Sequence, residues 1–205
     1  MTEDEARAWF VERFGEDKTA QVGAFLGLVR QENEHQNLIS PASVAAIWAR
    51  HAVDSAQLLF HVKQSGGSWL DIGTGGGFPG MMVAILRVDP VTMVEPRKKR
   101  AAFLDACVEQ LALRHANVVT AKVEAIEGRF ATISARAVAS VEKLLQAAEH
   151  CATPATRWIL PRGRIEAEEL AHLQRDRTRV FHVEHSLTDP QSSILIVDRN
   201  QGRAR

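Results

Sequence analysis

The chain has 205 residues, of which 45% are hydrophobic, and its 25 Lys and Arg residues balance 25 Asp and Glu residues. This length and composition predict one globular domain with a helical extension, and they exclude a disordered or fibrous chain. The net charge of zero excludes a global attraction to nucleic acid, so such a partner would need a local basic patch. An acidic N-terminus and the lack of any apolar run near ~20 residues argue against a signal peptide or membrane span, and predict a soluble cytoplasmic protein.

Residues 1–64 are predicted to form a helical extension. Apolar residues recur at helical spacing between positions 22 and 29. Ser40 followed by Pro41 is typical of a helix start, with serine as N-cap and proline at the first helical position. The sequence Ser65-Gly66-Gly67 then predicts a break before the next unit.

Residues 65–200 show alternating strands and helices, and residues 201–205 are predicted to be a basic tail. The predicted strands are Trp69–Ile72, Val91–Val94, Val118–Ala121, Ala131–Ala135 and Arg157–Leu160. The predicted helices are Pro79–Leu86, Lys98–Leu113, a segment through Leu144 and Ala148, and Ile165–Leu173. Two final strands, Arg179–His185 and Ile194–Asp198, flank a turn and predict a hairpin. The fold class is therefore α/β, with a doubly wound, mostly parallel sheet and a C-terminal antiparallel hairpin.

The stretch Trp69–Leu86, WLDIGTGGGFPGMMVAIL, is the most informative part of the chain. It reads as a buried strand, a glycine-rich turn and an apolar helix. That arrangement predicts a nucleotide-type cofactor site at the carboxyl edge of a parallel sheet. Gly75, Gly77 and Gly80 spell the G-x-G-x-x-G pattern, which is a weak signal when it stands alone.

Two residues argue against a dinucleotide in this turn. Pro79 lacks an amide that a pyrophosphate would use, and the Asp71 carboxylate would repel that dianion. The same acid suits the ammonium and sulfonium of S-adenosylmethionine. Glu95, at the end of the second strand, is predicted to bond ribose hydroxyls, as an acid also does in NAD enzymes. An NAD(P)-dependent oxidoreductase, and a helix-capping role for Asp71, remain alternatives.

The segment Asp71–Gly80, D-I-G-T-G-G-G-F-P-G, resembles the bacterial small-subunit ribosomal RNA guanine-N7 methyltransferases, once called glucose-inhibited division protein B. Further matches follow in the order typical of that family, between about Leu26 and Gly163: Asn37–Ser40 for N-L-T, His51–Ser55 for H-x-x-D-S, Lys99–Leu104 for K-R-x-x-F-L, Lys122–Glu124 for R-x-E, and Arg136–Ser140 for R-A-x-A-S. The departures are small: Lys122 replaces arginine, Glu95-Pro96 replaces Asp-Ser, and Arg162-Gly163 replaces Lys-Gly.

The resemblance implies a class I methyltransferase with a seven-stranded Rossmann-like sheet and an N-terminal helical cap. It implies methylation of guanine N7 in a hairpin loop of 16S ribosomal RNA near the decoding site, with S-adenosylmethionine as the cofactor. The candidate cofactor contacts, from the glycine turn, from the second strand and from the resemblance, are Asp71, Gly73, Thr74, Gly75, Gly77, Phe78, Glu95, Val123, Glu124 and Arg136.

The proposed chemistry needs no covalent nucleophile, because guanine N7 already carries a lone pair in the ring plane. Cys107 and Cys151 are accordingly predicted to be buried free thiols. Catalysis then consists of holding N7 in line with the methyl group and stabilising charge on the base. Arg136 is the candidate catalytic residue, bonding guanine O6, a phosphate or the cofactor carboxylate. Alternatively, it pairs with Asp71 or Glu124 and only holds the loop.

Two groups are candidate substrate contacts. His51, Asp54 and Ser55 have offsets that place them on one helix face, from which they would line the cleft. Alternatively, Asp54 simply pairs with His51 and nothing binds there. The basic run Arg97, Lys98, Lys99 and Arg100 opens a helix, where cations oppose the macrodipole, and so it suggests an anionic partner. A solvated helix start is the alternative.

The remaining expectations concern partners. The histidines lack metal-ligand spacing, so no metal site is predicted. The expected partner is 16S rRNA, within the small ribosomal subunit, and the expected state is a monomer. Competing functions are a methyltransferase acting on another RNA, a protein or a small molecule, and a ribosome-binding or assembly module without catalysis.

Overall fold

The computed structural model describes residues 1–63, 66–136 and 140–202. Parts of three sequence predictions lie outside these residues. They are Ser65 of the predicted break, Ala137–Ala139 of the R-A-V-A-S match, and positions 203–205 of the basic tail.

The N-terminal extension is helical, as predicted, but it is not built of regular α-helices throughout. Helix α1, Glu3–Glu32, begins at a capping box of Thr2 and Glu5 and is interrupted at Gly15, where φ is 80°. The segment after Ser40 forms α2 (Pro41–Val44), a π-helix (Trp48–Val53), α3 (Asp54–Ala56) and a 3-10 helix (Gln57–His61). The sequence therefore predicted the helix start at Pro41 correctly, and it gave no sign of the π-helical turn that follows.

Seven strands form one sheet, which confirms the predicted fold class. The strands are β1 Trp69–Ile72, β2 Val91–Val94, β3 Ala116–Val119, β4 Thr132–Ala135, β5 Arg157–Arg162, β6 Arg179–His185 and β7 Ser193–Arg199. Their order is β3-β2-β1-β4-β5-β7-β6. Strands β1 to β5 are parallel, and β7 runs antiparallel to both β5 and β6. The closing hairpin thus adds the antiparallel edge that the sequence predicted.

Four helices connect the strands: α4 Gly80–Leu86, α5 Lys98–Gln110, α6 Val141–Ala148 and α7 Ala167–Leu173. Several predicted boundaries were wrong by two or three residues: both ends of β3, the ends of α5 and β5, and the start of α7. Strand β3 begins at Ala116 rather than Val118, because its pairing with β2 starts at Ala116 opposite Val91. Helix α5 ends at Gln110 rather than Leu113, since the chain reaches a positive φ of 53° at Ala112.

The extension packs against the sheet domain. One buried hydrophobic cluster contains Phe25 and Trp48 of the extension together with Trp69 of β1 and Met82 of α4. The second cluster fills the opposite side of the sheet beneath α6, with Leu70 and Trp158 among its members. Residues on both sides of the predicted boundary at 64/65 thus contribute to one cluster, and this packing brings the extension to the carboxyl edge of the sheet.

Candidate functional site

Two clefts open at the carboxyl edge of the sheet. The first, which we call the glycine-loop cleft, has a volume of about 500 Å³, and its lining includes Gly73, Glu95, Arg97, Val123 and Glu124. The second, which we call the arginine cleft, has a volume of about 970 Å³, and its lining includes Arg50, His51, Asp54, Arg136 and Thr188. Both volumes lie in the range of ligand sites, roughly 300–1,000 Å³.

The two clefts meet where β1 and β4 lie side by side. Ile72 pairs with Ala135 across these strands. The next residues along the chain, Gly73 and Arg136, therefore leave the sheet as neighbours, one into each cleft. The strand order reverses between β1 and β4, and this switch point is where open α/β sheets bind ligands.

The glycine turn follows a tight path because of backbone conformation and close packing. Gly73 has φ 68°, and its amide donates to the Val94 carbonyl at 2.7 Å. A Cβ at Gly77 would lie 2.4 Å from the Phe25 ring, and a Cβ at Gly80 would lie 2.6 Å from Met93 Cγ. Gly77 and Gly80 are thus required by contacts with α1 and β2, and Gly73 by its left-handed conformation.

Asp71 is fully buried beneath this turn and bonds within the chain. Its Oδ2 accepts from the Gly80 amide at 2.9 Å, and its Oδ1 accepts from Ser134 Oγ at 2.6 Å. Burial raises the pKa of the Asp71 carboxyl to about 6, although these donors oppose the shift. This is the helix-capping arrangement given above as the alternative. A direct contact with a cofactor stays a prediction.

The capping also explains why α4 begins at Gly80 and not at Pro79. The first free amide of the helix is already taken by the Asp71 carboxylate. A pyrophosphate would meet a carboxylate here instead of free amides, which is unfavourable for a dinucleotide.

Thr74 is buried in the same turn. Its hydroxyl donates to the Asp71 carbonyl at 3.2 Å, and its amide donates to the Val94 carbonyl at 3.2 Å. Thr74 shapes the turn through these bonds, and its predicted cofactor contact stays a prediction.

Glu95 connects the end of β2 to the glycine turn. Its Oε2 accepts from the Gly75 amide at 2.9 Å and its Oε1 from the Arg97 amide at 2.9 Å. A carboxylate oxygen has two lone pairs, so each oxygen can accept one further bond from a hydroxyl in the cleft. The geometry is therefore compatible with the predicted ribose contact.

Arg136 is the central charge of the arginine cleft. Its Nη2 donates to His51 Nδ1 at 3.0 Å, and its Nη1 lies 3.5 Å from Asp54 Oδ2. Its guanidinium also lies 5.4 Å from the centroid of the Phe78 ring. Arg136 thus pairs with Asp54 and not with Asp71 or Glu124, the partners named in the alternative above. A guanidinium has five N–H donors, so several stay available to a ligand.

His51 is held as a neutral ring. Burial, together with the charges of Arg136 and Arg50, lowers its pKa to about 3. Because Nδ1 accepts a hydrogen bond from Arg136, the ring proton is on Nε2. His51 stacks on Phe78 with ring centroids 4.8 Å apart. The pairing of His51 with Asp54, given above as the alternative interpretation, is not direct, because Arg136 lies between the two side chains and contacts both.

Phe78 and Ser55 are candidate residues that line neither cleft. Phe78 is 3% exposed and packs between His51 and Phe25, so it supports Arg136 from below. Ser55 is 1% exposed, and its hydroxyl is buried without a hydrogen-bond partner among the described residues. The prediction that Ser55 shares a lining face with His51 and Asp54 was wrong. Ser55 lies in α3, directly after the π-helix that ends at Val53, and its side chain is buried in the core.

The basic run is divided between two environments. Arg97 and Arg100 line the glycine-loop cleft, and Arg100 Nη2 donates to the Asn37 carbonyl at 2.8 Å. Lys98 and Lys99 are exposed at the start of α5. The run thus both ties the extension to the sheet domain and presents free positive charge beside the cleft.

Sequence reasoning missed several residues of the arginine cleft. Arg50 lines it and is exposed, and it was not among the predicted site residues. Thr188, Asp189 and Ser192 reach the cleft from the turn of the β6–β7 hairpin. No local signal marks these residues, because they lie more than 130 positions from His51 in the chain.

The two cysteines lie away from both clefts. Cys107 and Cys151 are both free and buried, as predicted, and burial raises the pKa of the Cys107 thiol to about 12. Within residues 1–63, 66–136 and 140–202, no group of three or more His, Cys, Asp or Glu side chains could hold a metal ion. No helix in this part of the chain has the length and apolar character needed to cross a membrane.

Comparison with known proteins gives a consistent result. A model of the family described as rRNA small subunit methyltransferase G matches residues 18–193. The chain is 43% identical over 206 residues to the ribosomal RNA small subunit methyltransferase G of Erythrobacter litoralis, covering 100% of this chain and 98% of that protein. It is 44% identical over 195 residues to the protein of the same name in Sphingopyxis alaskensis, covering 93% and 84% of the two chains.

A solved structure supports the fold assignment. A putative S-adenosyl-L-methionine-dependent methyltransferase from Methanococcus maripaludis superposes with a TM-score of 0.62 at 10% identity, covering 88% of this chain and 95% of that chain. At this identity the likeness concerns the fold alone, which is that of class I methyltransferases.

Proposed function

The chain belongs to the family of rRNA small subunit methyltransferase G, and we propose that it methylates N7 of a guanine in a hairpin loop of 16S ribosomal RNA near the decoding site. Membership of the family makes it an S-adenosylmethionine-dependent methyltransferase of 16S rRNA guanine. Family membership also excludes the NAD(P)-dependent oxidoreductase. The capped start of α4 agrees with this, because its Gly80 amide already bonds to Asp71. The position N7, the loop and the roles of individual residues belong to the proposal.

The observation that carries the proposal is the meeting of two clefts at the ends of β1 and β4. An enzyme that methylates a macromolecule needs a cofactor site and a separate opening for the substrate. The two must meet at the point where the methyl group is transferred. Gly73 and Arg136 directly follow the paired strands β1 and β4. Gly73 lines the glycine-loop cleft, and Arg136 lines the arginine cleft.

The glycine-loop cleft fits S-adenosylmethionine by the chemistry of its lining. Glu95 retains acceptor capacity for ribose hydroxyls, and Val123 with Glu124 follows β3, where an apolar side chain and an acceptor suit an adenine edge. The left-handed Gly73 lets the backbone approach a ligand closely. When bound, S-adenosylmethionine supplies an electrophilic methyl group on its sulfonium.

The arginine cleft is proposed to hold the target guanine. Arg136 donates to guanine O6 or to an adjacent phosphate and leaves N7 free to react. His51, as a neutral ring, and Asp54 fix the guanidinium so that the base is held in one orientation. Such positioning is a large source of rate enhancement when no proton needs to be removed from the nucleophile.

The exposed cations around the clefts are proposed to contact the RNA backbone. Arg50 lies at the arginine cleft, and Lys98 and Lys99 lie beside the other cleft. Because the net charge is zero, these few contacts would give a modest salt dependence. We further propose that the protein acts as a monomer in the cytoplasm, on the small ribosomal subunit, whose shape supplies additional contacts.

The test is methyl transfer from labelled S-adenosylmethionine to small subunits taken from cells that lack the activity. The RNA is digested and 7-methylguanosine is measured by mass spectrometry, with protein-free 16S rRNA and large subunits as parallel substrates. We expect 7-methylguanosine in 16S rRNA and none in the large subunit. Binding to the subunit without any methylated guanosine would instead indicate a non-catalytic assembly module.

A further inference from the structure

A buried amide, that of Gln57, joins the extension to the C-terminal hairpin behind the arginine cleft. Gln57 is 1% exposed. Its Nε2 donates to Asp54 Oδ1 at 2.9 Å and lies 3.0 Å from Ser186 Oγ, and its Oε1 accepts from the Leu187 amide at 2.8 Å. Both ends of the amide are therefore satisfied, and they connect segments about 130 residues apart in the chain.

Asp54 is the point at which this network reaches Arg136. Its Oδ1 accepts from Gln57 and from the hydroxyls of Ser186 and Thr188, at 3.3 and 3.4 Å. Its Oδ2 faces Arg136 Nη1 at 3.5 Å. The neutral donors on one oxygen thus fix the carboxylate plane, and the other oxygen is turned toward the guanidinium.

We propose that Gln57 is a positioning residue for methyl transfer, which holds Asp54 and, through it, the Arg136 guanidinium in one orientation against the hairpin turn. The proposal rests on the function proposed above, in which Arg136 contacts the guanine. Gln57 itself does not line either cleft, so it acts only through Asp54 and through the position of the turn.

The physical reason is the sensitivity of reaction geometry to small displacements. Without the Gln57 donor, Asp54 Oδ1 loses its shortest hydrogen bond, and the carboxylate can rotate toward solvent in the cleft. Arg136 would then lose a fixed second partner, and its hydrogen bond to His51 Nδ1 would weaken as the guanidinium moves. A misplacement of about 1 Å far from the reacting atoms can lower a rate by up to about 100-fold.

The first experiment compares Gln57→Met with Gln21→Met in the methyl-transfer assay. Methionine keeps the volume and removes the hydrogen bonds. Gln21 is a matched control, because its Nε2 also links the extension to the sheet domain, at the Leu111 carbonyl, far from the arginine cleft. We expect kcat of Gln57→Met to fall about tenfold with the KM for S-adenosylmethionine unchanged, and Gln21→Met to keep the wild-type kcat. Equal kcat in the two variants would overturn the proposal.

A double-mutant cycle tests whether Gln57 and Ser186 act through the same carboxylate. Ser186→Ala removes a second partner of Asp54, and we expect a smaller loss of kcat than in Gln57→Met. Because both residues act through one carboxylate, the double variant should lose clearly less than the product of the single losses. Strictly multiplicative losses would mean that the two residues act independently, against the proposal.

A measurement without substrate separates this proposal from the proposed function. The ¹⁵N resonances of His51 report whether Nδ1 accepts a hydrogen bond. We expect this signature in the wild type and in Gln21→Met, and its weakening in Gln57→Met, since Arg136 then moves. A wild-type protein that forms no 7-methylguanosine would refute the proposed function alone. An unchanged His51 signal in Gln57→Met would refute the positioning role alone.

Discussion

The two clefts are built in different ways. Gly73 and Glu95 each follow a strand directly, and Val123 follows β3 after a short turn, so neighbouring parallel strands bring the glycine-loop cleft together. The arginine cleft draws Arg50, Arg136 and Thr188 from the extension, from β4 and from the hairpin. A short motif is thus enough to specify the glycine-loop cleft, whereas the arginine cleft depends on the packing of segments distant in sequence.

The largest expected effect separates the two clefts by function. Arg136→Ala should lower kcat by about 100-fold or more, which corresponds to about 3 kcal/mol, with the Kd of S-adenosylmethionine unchanged by calorimetry. The reason is that Arg136 faces the proposed guanine side. Arg136→Lys, which keeps the charge for Asp54 but loses the planar fork, should show the same direction if the alanine variant is unstable.

The control for this prediction is Arg114→Ala, at an exposed position in the turn between α5 and β3. It should leave both kcat and cofactor affinity at the wild-type values. Equal loss of cofactor binding and of activity in Arg136→Ala would assign this arginine to the cofactor and contradict its role toward guanine.

A second prediction concerns the dependence of the glycine turn on the extension. Gly77→Ala places a Cβ within 2.4 Å of the Phe25 ring at a φ of 99°. Strain and overpacking together should lower the free energy of unfolding by about 3 kcal/mol, measured by urea denaturation. Gly27→Ala is the matched control: nothing lies within 4 Å of its Cβ, and it should stabilise helix α1 by about 0.5–1 kcal/mol. Similar stabilities of the two variants would show that the turn does not depend on α1.

A third prediction concerns Glu95 and the proposed binding of S-adenosylmethionine. In Glu95→Gln, the amide NH₂ must face one of two backbone donors, the Gly75 or the Arg97 amide. We expect the Kd of S-adenosylmethionine to rise about tenfold, or about 1.4 kcal/mol, with little change in kcat at saturating cofactor. Asp105→Asn on the exposed face of α5 is the control. A drop in kcat at saturation would mean that Glu95 also positions the reacting groups.

The smallest expected effect is on the pH dependence of the free energy of unfolding, to which Asp71 and His51 contribute with opposite signs. The pKa of Asp71 is raised to about 6, so the folded state binds more protons than the unfolded state between about pH 4 and 6, and its contribution to stability falls as pH rises. The pKa of His51 is lowered to about 3, so its contribution is lost as pH falls from about 6.5 toward 3. Between about pH 4 and 6, these two groups therefore change the free energy of unfolding in opposite directions.

Relative to the wild type, Asp71→Asn should make the slope of unfolding free energy against pH more positive between pH 4 and 6. His51→Gln should make it more negative. Each change is at most about 1.4 kcal/mol per pH unit. Denaturation series at pH 4, 5 and 6 measure both slopes, and changes of the same sign in the two variants would contradict the assignment.

The sequence predicted most of the fold because its signals are local. Strands β1 and β2 were predicted with the observed bounds. Each is a short, mostly apolar run, and it ends where the glycine turn begins at Gly73 or where Glu95 follows. The boundary of β3 was missed because its start is fixed by pairing with Val91, and not by its own residues. The π-helix was missed because it carries no distinct pattern, and the burial of Ser55 was missed because it depends on packing against other segments.

The α/β class and the glycine turn could be predicted from the sequence alone, because they depend on residues adjacent in the chain. Only the tertiary structure decided that Asp71 caps α4, that Arg136 pairs with Asp54 and His51, and that Gln57 ties both to Ser186. A buried polar group must find its partner within hydrogen-bond distance, wherever in the chain that partner lies. Which partner it finds is therefore settled by packing, which brings distant segments together.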